Sequence, residues 1–410
     1  MLAEVMLFIG ATINALSASF GDVTNAIGQA SEGDTVAIPA DAAAWTTNAE
    51  INVAITITGA GANSTIISNA VPSGNANTAE GSLFDIDHPS GTVKIENIGI
   101  YGGYIDAGQT HRKSFFIDTG GGDTDAYVWF DNLAVNDDKS TFYIRSDANG
   151  LISSCNFTNV DRIAYFLGYN NTSFSTWDDP VTSYFGSANA WFMEDCHAEW
   201  TENFWNYADE GEYSWLLASG QGARWVVRHN AVNSTSETYK IGYVDQHGDQ
   251  QPGNVRAVLF SEFYGNTAHI EQGYRLFNFR GGSGLIFSNV WWNDNASGAD
   301  VLLEFQEEGS ADHYPAYGTN DVVTNTYVWA NSWTNDAVDT YSPLEAGTVS
   351  MRVHPDSCTN HIEFGVNVFT NAPVWYTPYT YPHPWRNWPT TWNPAKASAG
   401  GNGTRWGAVQ

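Results

Sequence analysis

Positive charge is what this sequence lacks most. Only 16 Lys and Arg stand against 45 Asp and Glu in 410 residues, a formal net charge of −29. Clustered cations hold phosphate backbones, so nucleic acid is excluded as a partner, and anionic lipid with it. Such acidity suits a solvated surface in a salty or extracellular setting and attracts divalent cations. Cysteine is scarce too. Three residues do not staple a chain of this length, and no Cys/His spacing of a metal site is present. Cys155 and Cys196 hold equivalent places in two copies of the repeat described below and read as a buried free pair, with a disulfide as the alternative; Cys358 is left over. Helical periodicity is absent after residue 30. The apolar run from Met1 to Ala11 is too short for a membrane span. It carries Glu4 and no cation, unlike a signal peptide. We read it as an ordered apolar segment, the alternative being a signal cleaved after Leu16-Ser17-Ala18. A Gly-x-Ser-x-Gly elbow and a phosphate loop are also missing.

What is present is a short phrase that keeps returning. Its copies include Ile95-Glu96-Asn97-Ile98-Gly99-Ile100, Phe130-Asp131-Asn132-Leu133-Ala134-Val135, Cys155-Asn156-Phe157-Thr158-Asn159, His229-Asn230-Ala231-Val232-Asn233 and Phe287-Ser288-Asn289-Val290-Trp291. Apolar residues alternate within each copy, which is the period of a strand. Further short strands, such as Thr141–Ile144 and Val301–Phe305, lie between copies, and 39 Gly punctuate the chain. A unit of two or three short strands cannot bury its apolar face alone; stacking like units, each strand pairing with its equivalent about 4.8 Å away, does so. The expected fold is all-β, a single-stranded parallel β-helix. A ladder of inward Asn at one corner would satisfy buried backbone groups, so the repeated Asn reads as structural rather than catalytic.

The exposed first rung of such a stack needs a cover. Phe20, Val23, Ala26, Ile27 and Ala30 have helical spacing, with Asp22 as the expected cap. Then come Gly33-Asp34-Thr35-Val36-Ala37-Ile38-Pro39-Ala40 and Ile55-Thr56-Ile57-Thr58-Gly59-Ala60-Gly61. This opening, with Gly222–Asn230 and Arg280–Asn289 in the middle, resembles right-handed parallel β-helix proteins of the pectate-lyase-like superfamily over roughly residues 20–375. The resemblance implies right-handedness and a choice among polysaccharide lyases, glycoside hydrolases and bacteriophage tailspikes. The organisation is then an apolar N-terminal segment and capping helix over 1–31, a β-helix over 32–372, and a Pro/aromatic-rich tail over 373–410. Strand ladders tolerate little Pro. The tail, from Pro373 through Trp375-Tyr376 to Trp385-Arg386, reads as an extended strap along the outside of the stack, or else as an aromatic surface for sugar or a partner.

Three strands end in polar residues before Gly: Tyr243-Val244-Asp245-Gln246-His247-Gly248, Phe277-Asn278-Phe279-Arg280-Gly281 and Glu304-Phe305-Gln306-Glu307-Glu308-Gly309. Aligning the glycines places them on consecutive rungs as one polar strip. Hydrolysis needs two carboxylates, for which Asp245, Asp249, Glu304, Glu307, Glu202 and Glu210 are candidates. A lyase needs a base and a neutraliser of the uronate charge, roles open to His247 and Arg280. Glu202, Trp205, Trp215, Asp249 and Asn278 are candidate carbohydrate contacts, the first two in the aromatic–acid stretch Glu199–Glu210. The plainer reading is a set of solvated rungs. No cofactor is expected; if Ca²⁺ binds, the adjacent acids Asp137-Asp138 and Asp178-Asp179 are its candidate ligands. These features suggest an extracellular or virion-surface protein that binds polysaccharide, tailspike-like and homotrimeric or joined to virion proteins. A secreted lyase or hydrolase and a purely structural fibre component are the rivals.

Overall fold

Alternating burial decides each element. In Ser90–Glu96 the residues Gly91, Val93 and Ile95 point inward and Lys94 and Glu96 outward. Such a strand hides its inner face only against more of its kind. The computed structural model describes residues 10–75, 78–88, 90–102, 112–119, 125–168, 184–200, 214–234, 241–248, 257–270, 275–293, 301–306, 323–335, 342–343, 346, 351–353 and 362–387. The described chain passes in turn through three sheets of twelve, eleven and ten strands. From Ser90–Glu96 in the twelve-stranded sheet it enters Gly99–Tyr101 in the eleven-stranded sheet, then Lys113–Ile117 in the ten-stranded sheet. It returns as Asp125–Asp131, paired residue for residue with Ser90–Glu96. Among the described strands every ladder is parallel except Ser342–Pro343 against Ser332–Asn335. This is the expected right-handed parallel β-helix.

The interior repeats from rung to rung. Phe84, Phe115 and Phe142 stack at centroid spacings of 5.3 and 5.4 Å. The helix Phe20–Gln29 closes the first coil with Val23, Ala26 and Ile27 buried. Ser19, not Asp22, is its cap: Ser19 Oγ accepts from Asp22 N, and Asp22 sits in the first turn, where the helix dipole favours an anion. Thr12–Asn14 adds a strand ahead of the helix, paired with Thr35–Ile38.

The expected Asn ladder exists over Asn230, Asn266, Asn289 and Asn331. Each of the first three donates its backbone N–H to the next side-chain carbonyl, at 2.9, 3.0 and 3.1 Å. Their amides donate onward at 3.0, 3.0 and 2.9 Å. Other copies of the repeat are offset. Asn97 and Asn132 hold the preceding corner position, with φ of 60° and 50°, a left-handed conformation Asn tolerates well. Asn156 is exposed on a strand opposite His197, and Cys155 occupies the ladder position instead. Cys155 and Cys196 are buried free thiols with no disulfide between them. Cys196 donates its N–H to Asn230 Oδ1 and so begins the ladder.

The tail lies as a strap on the outer face of the twelve-stranded sheet, with Tyr376 against Phe287, Tyr379 against Phe192 and Trp385 against Tyr127. Buried Arg228 fixes it. Its guanidinium donates to Glu194 at 2.8 Å, Tyr264 Oη at 2.9 Å and the carbonyls of Tyr379 and Thr380 at 2.7 and 2.9 Å. Arg386 closes the far end on Asp195 and Glu194. Tyr376 Oη donates to buried Glu262, whose pKa burial raises to about 6.

A second buried acid, Asp138, stands beside the ten-stranded sheet. Ser114 and Thr141 hydroxyls donate to its Oδ2 at 2.6 and 3.1 Å. Burial raises its pKa from 3.8 to about 7. The folded chain therefore binds a proton that the unfolded chain does not, and this stability is present below about pH 3.8 and lost as pH rises through about 7. Raising pH from 5 to 8 is expected to withdraw on the order of a few kcal/mol, and Asp138→Asn should flatten that slope in urea titrations. An unchanged slope in the variant would contradict the assignment.

Candidate functional site

The ten-stranded sheet carries a continuous outward column. Inward Val244, Phe277 and Leu303 are fully buried in the core. Alternation turns the next residues, Asp245, Asn278 and Glu304, to the outer face. They pair in register on consecutive coils, and Arg352 follows Glu304. In the other direction Asp245 pairs with Ala218, Ala218 with Tyr165, Tyr165 with Tyr143 and Tyr143 with Phe116. One step along each strand lies a parallel column. Arg280 N donates to Gln246 O and Gln306 N to Phe279 O, which sets His247, Arg280 and Gln306 side by side.

Sequence alignment by glycines thus brings Asp245, His247, Asn278, Arg280 and Glu304 together correctly in space. It errs by register in the last coil, where Gln306 holds the position assigned to Glu307 and Glu308. Glu307, Glu308, Glu202, Trp205, Glu210 and Asp249 lie outside the described residues. Trp215 belongs to the strand Ser214–Gly220, opposite Gly242. Of the Ca²⁺ candidates, Asp178-Asp179 lie outside the described residues. Asp137 is exposed at φ 52° while Asp138 is buried. Among the described residues no group of three His, Cys, Asp or Glu gathers as metal ligands.

The chemistry centres on Asp245. Arg280 grips it with two donors, Nε at 2.9 Å and Nη2 at 2.6 Å, and His247 Nε2 lies 2.8 Å from Oδ2. Burial alone would push the Asp245 carboxyl up, but His247 and Arg280 outweigh it and hold the group below its ordinary range. Asp245 is therefore an ionised anchor that orients an imidazole and a guanidinium. Asn278 Nδ2 faces Asp245 at 3.4 Å, leaving its buried Oδ1 without a protein partner. Glu304 is buried and accepts from Arg352 Nε at 3.1 Å. The side chains nearer the surface are thus the basic ones: His247, Arg280 and Arg352 are 21%, 16% and 38% exposed, against 5% for Asp245 and 0% for Glu304. Tyr165 stands edge to the His247 ring at 6.5 Å.

Sequence reading missed Arg352 and Tyr165. Arg352 has only Met351–Val353 as its strand, and nothing in so short a run marks it as the next coil. Tyr165 sits in the phrase Arg162–Leu167, whose alternation reads as ordinary core.

No protein-family model matches the chain, and no curated protein matches it. Solved structures do. A DFA-IIIase from Arthrobacter chlorophenolicus A6 without its lid is 13% identical with TM-score 0.47, over 90% of this chain and 98% of that one. An alginate lyase from Paenibacillus sp. str. FPU-7 is 14% identical with TM-score 0.44, over 73% and 98%. ORF18 of Geobacillus virus E2 is 15% identical with TM-score 0.40, over 79% and 61%. The likeness is one of fold alone, that of a parallel β-helix.

Breaking a buried pair strands a charge, whereas replacing both members does not. Arg280→Met leaves Asp245 with His247 alone and is expected to cost about 1–3 kcal/mol in chemical denaturation, and Asp245→Leu with Arg280→Met to recover most of it. Additive losses would show that the two side chains do not act as a unit.

Proposed function

We propose that this chain binds a polysaccharide along the outer face of the ten-stranded sheet. The observation that carries the reading is the assembly of Asp245, His247, Asn278, Arg280, Glu304 and Arg352 on consecutive coils. Side chains repeating about every 4.8 Å along an axis suit a ligand that itself repeats. Buried acids hold the cations in place, and Asn278 offers an acceptor already oriented by Asp245. Glycoside hydrolysis fits less well. It needs a carboxyl with a raised pKa to protonate the leaving oxygen, and Asp245 is shifted the other way. Glu304 is engaged by Arg352.

A second reading, β-elimination from a uronate, is favoured by the contact between Asp245 and His247, which would hold the imidazole as a base beside Arg280. On either reading we place the protein outside the cytoplasm, extracellular or on a virion surface. A homotrimeric, tailspike-like state is the finer form of the proposal. No helix among the described residues is long and apolar enough to cross a membrane.

A glycan array followed by a product assay tests this. Binding to at least one polysaccharide is expected, with loss of about tenfold or more in Arg280→Ala. Absorbance near ~235 nm from an unsaturated uronate, abolished in His247→Ala, would select elimination over binding alone. Binding that neither Arg280→Ala nor Asp245→Asn alters would move the site elsewhere. A purely structural component would bind no glycan at all.

A further inference from the structure

Cations are sorted within this acidic chain. Lys113, Arg145, Arg162, Arg275, Arg280 and Arg352 lie in or directly beside strands of the ten-stranded sheet. The twelve-stranded sheet has Lys94, Arg224 and Arg228 in its described strands, and those of the eleven-stranded sheet have none. Most of these arginines have a carboxylate or carbonyl to hold. Arg162 does not. Its guanidinium lies 5.4 Å from the Tyr165 ring centroid, its Nε is shielded from solvent without a hydrogen-bond partner, and no described carboxylate is within ion-pair reach. In a chain with 45 acidic residues, a half-buried arginine that pairs with none of the described ones keeps its donors for a ligand.

Its position links it to the site above. Arg162 and Arg145 both act on the Tyr143 phenol, Tyr143 contacts Tyr165 at 5.3 Å, and Tyr165 contacts His247 at 6.5 Å. Strand order puts Arg162 two rungs from His247 and three from Arg280, about 10 and 14 Å along the axis, and the register puts it five residues earlier along the strand, about 17 Å across the sheet, so the path between them is diagonal. We propose that Arg162, seated on Tyr165, is a second anion-binding station, and that one anionic glycan runs along this face from Arg162 to the His247–Arg280 pair. The proposal rests on the polysaccharide reading and adds the ligand's charge, its path and a minimum length. Carboxylate and sulfate groups share the chemistry that a guanidinium recognises.

The test is calorimetric titration of the full chain with size-graded polyuronate oligosaccharides, with sulfated dextran and with neutral dextran, at two salt concentrations. Wild-type protein is expected to prefer an anionic series, and affinity should step up once the oligomer is long enough to reach both stations. Arg162→Gln should erase that step, about tenfold, and leave the shortest binding oligomer unaffected; Arg162→Lys should restore part of it. An unchanged melting temperature in Arg162→Gln separates lost binding from lost folding. Whichever of the carboxylated and sulfated series shows the step identifies the anionic group. If Arg280→Gln weakens binding while Arg162→Gln has no effect at any length, the second station is wrong and the first site stands. Equal affinity for neutral dextran overturns the anionic ligand. If single-stranded polynucleotide binds through Arg162 and no glycan does, the ligand class is wrong. If nothing binds, the polysaccharide reading itself falls.

Discussion

Every feature of this molecule depends on the in-register backbone pairing of one coil with the next. Parallel ladders put residue i of one strand opposite its equivalent in the following coil, and they repeat that placement over ten to twelve strands. A slip of one residue would turn every core side chain to solvent. The register is fixed where apolar alternation is strict, as in Asp125–Asp131 against Ser90–Glu96, and again at the corner where side-chain amides bond to the next coil. Like residues then form columns, and a column is the unit in which both stability and function are written.

Columns on the outer faces have different fates. On the twelve-stranded sheet the column through Glu194, Arg228 and Tyr264 is sealed beneath the strap, and its charges are spent on strap carbonyls and hydroxyls. On the ten-stranded sheet Asp245 and Glu304 are also buried, but their partners His247, Arg280 and Arg352 remain partly exposed. The same device, a buried carboxylate gripping an arginine, thus fastens a tail on one face and presents cations on another. In a chain of net charge −29 this patch, where each carboxylate is matched by a more exposed arginine, is the strongest reason to place recognition there.

Much of this was legible in the sequence because columns need like residues at like places. Alternation in Val301–Phe305 and Ser140–Arg145, the helical spacing of Val23, Ala26 and Ile27, and the prolines of the tail each state a local geometry. The site emerged because Gly248 and Gly281 each follow a strand end by the same interval. Gly309 does not keep that interval, so alignment by glycines points to Glu307 where Gln306 stands in the column. Asn misled in a different way. It suits both the left-handed corner of Asn97 and the inward ladder of Asn230, one position apart, and a repeat written around Asn merges the two. Arg162 was not singled out, because the lack of a partner is visible only once its neighbours are placed.

The most direct test is of the register itself. Asn233 and His269 pair across adjacent coils, and Trp292 follows His269 one coil further. Adjacent rungs put Cα atoms about 4.8 Å apart, within disulfide reach, and alternate rungs about 9.6 Å, beyond it. Mild oxidation of Asn233→Cys with His269→Cys, read by mass spectrometry, should form the bond rapidly and leave the fold intact, while Asn233→Cys with Trp292→Cys should not. Bonding in the second pair and not the first would contradict the stacked coils and the site built on them.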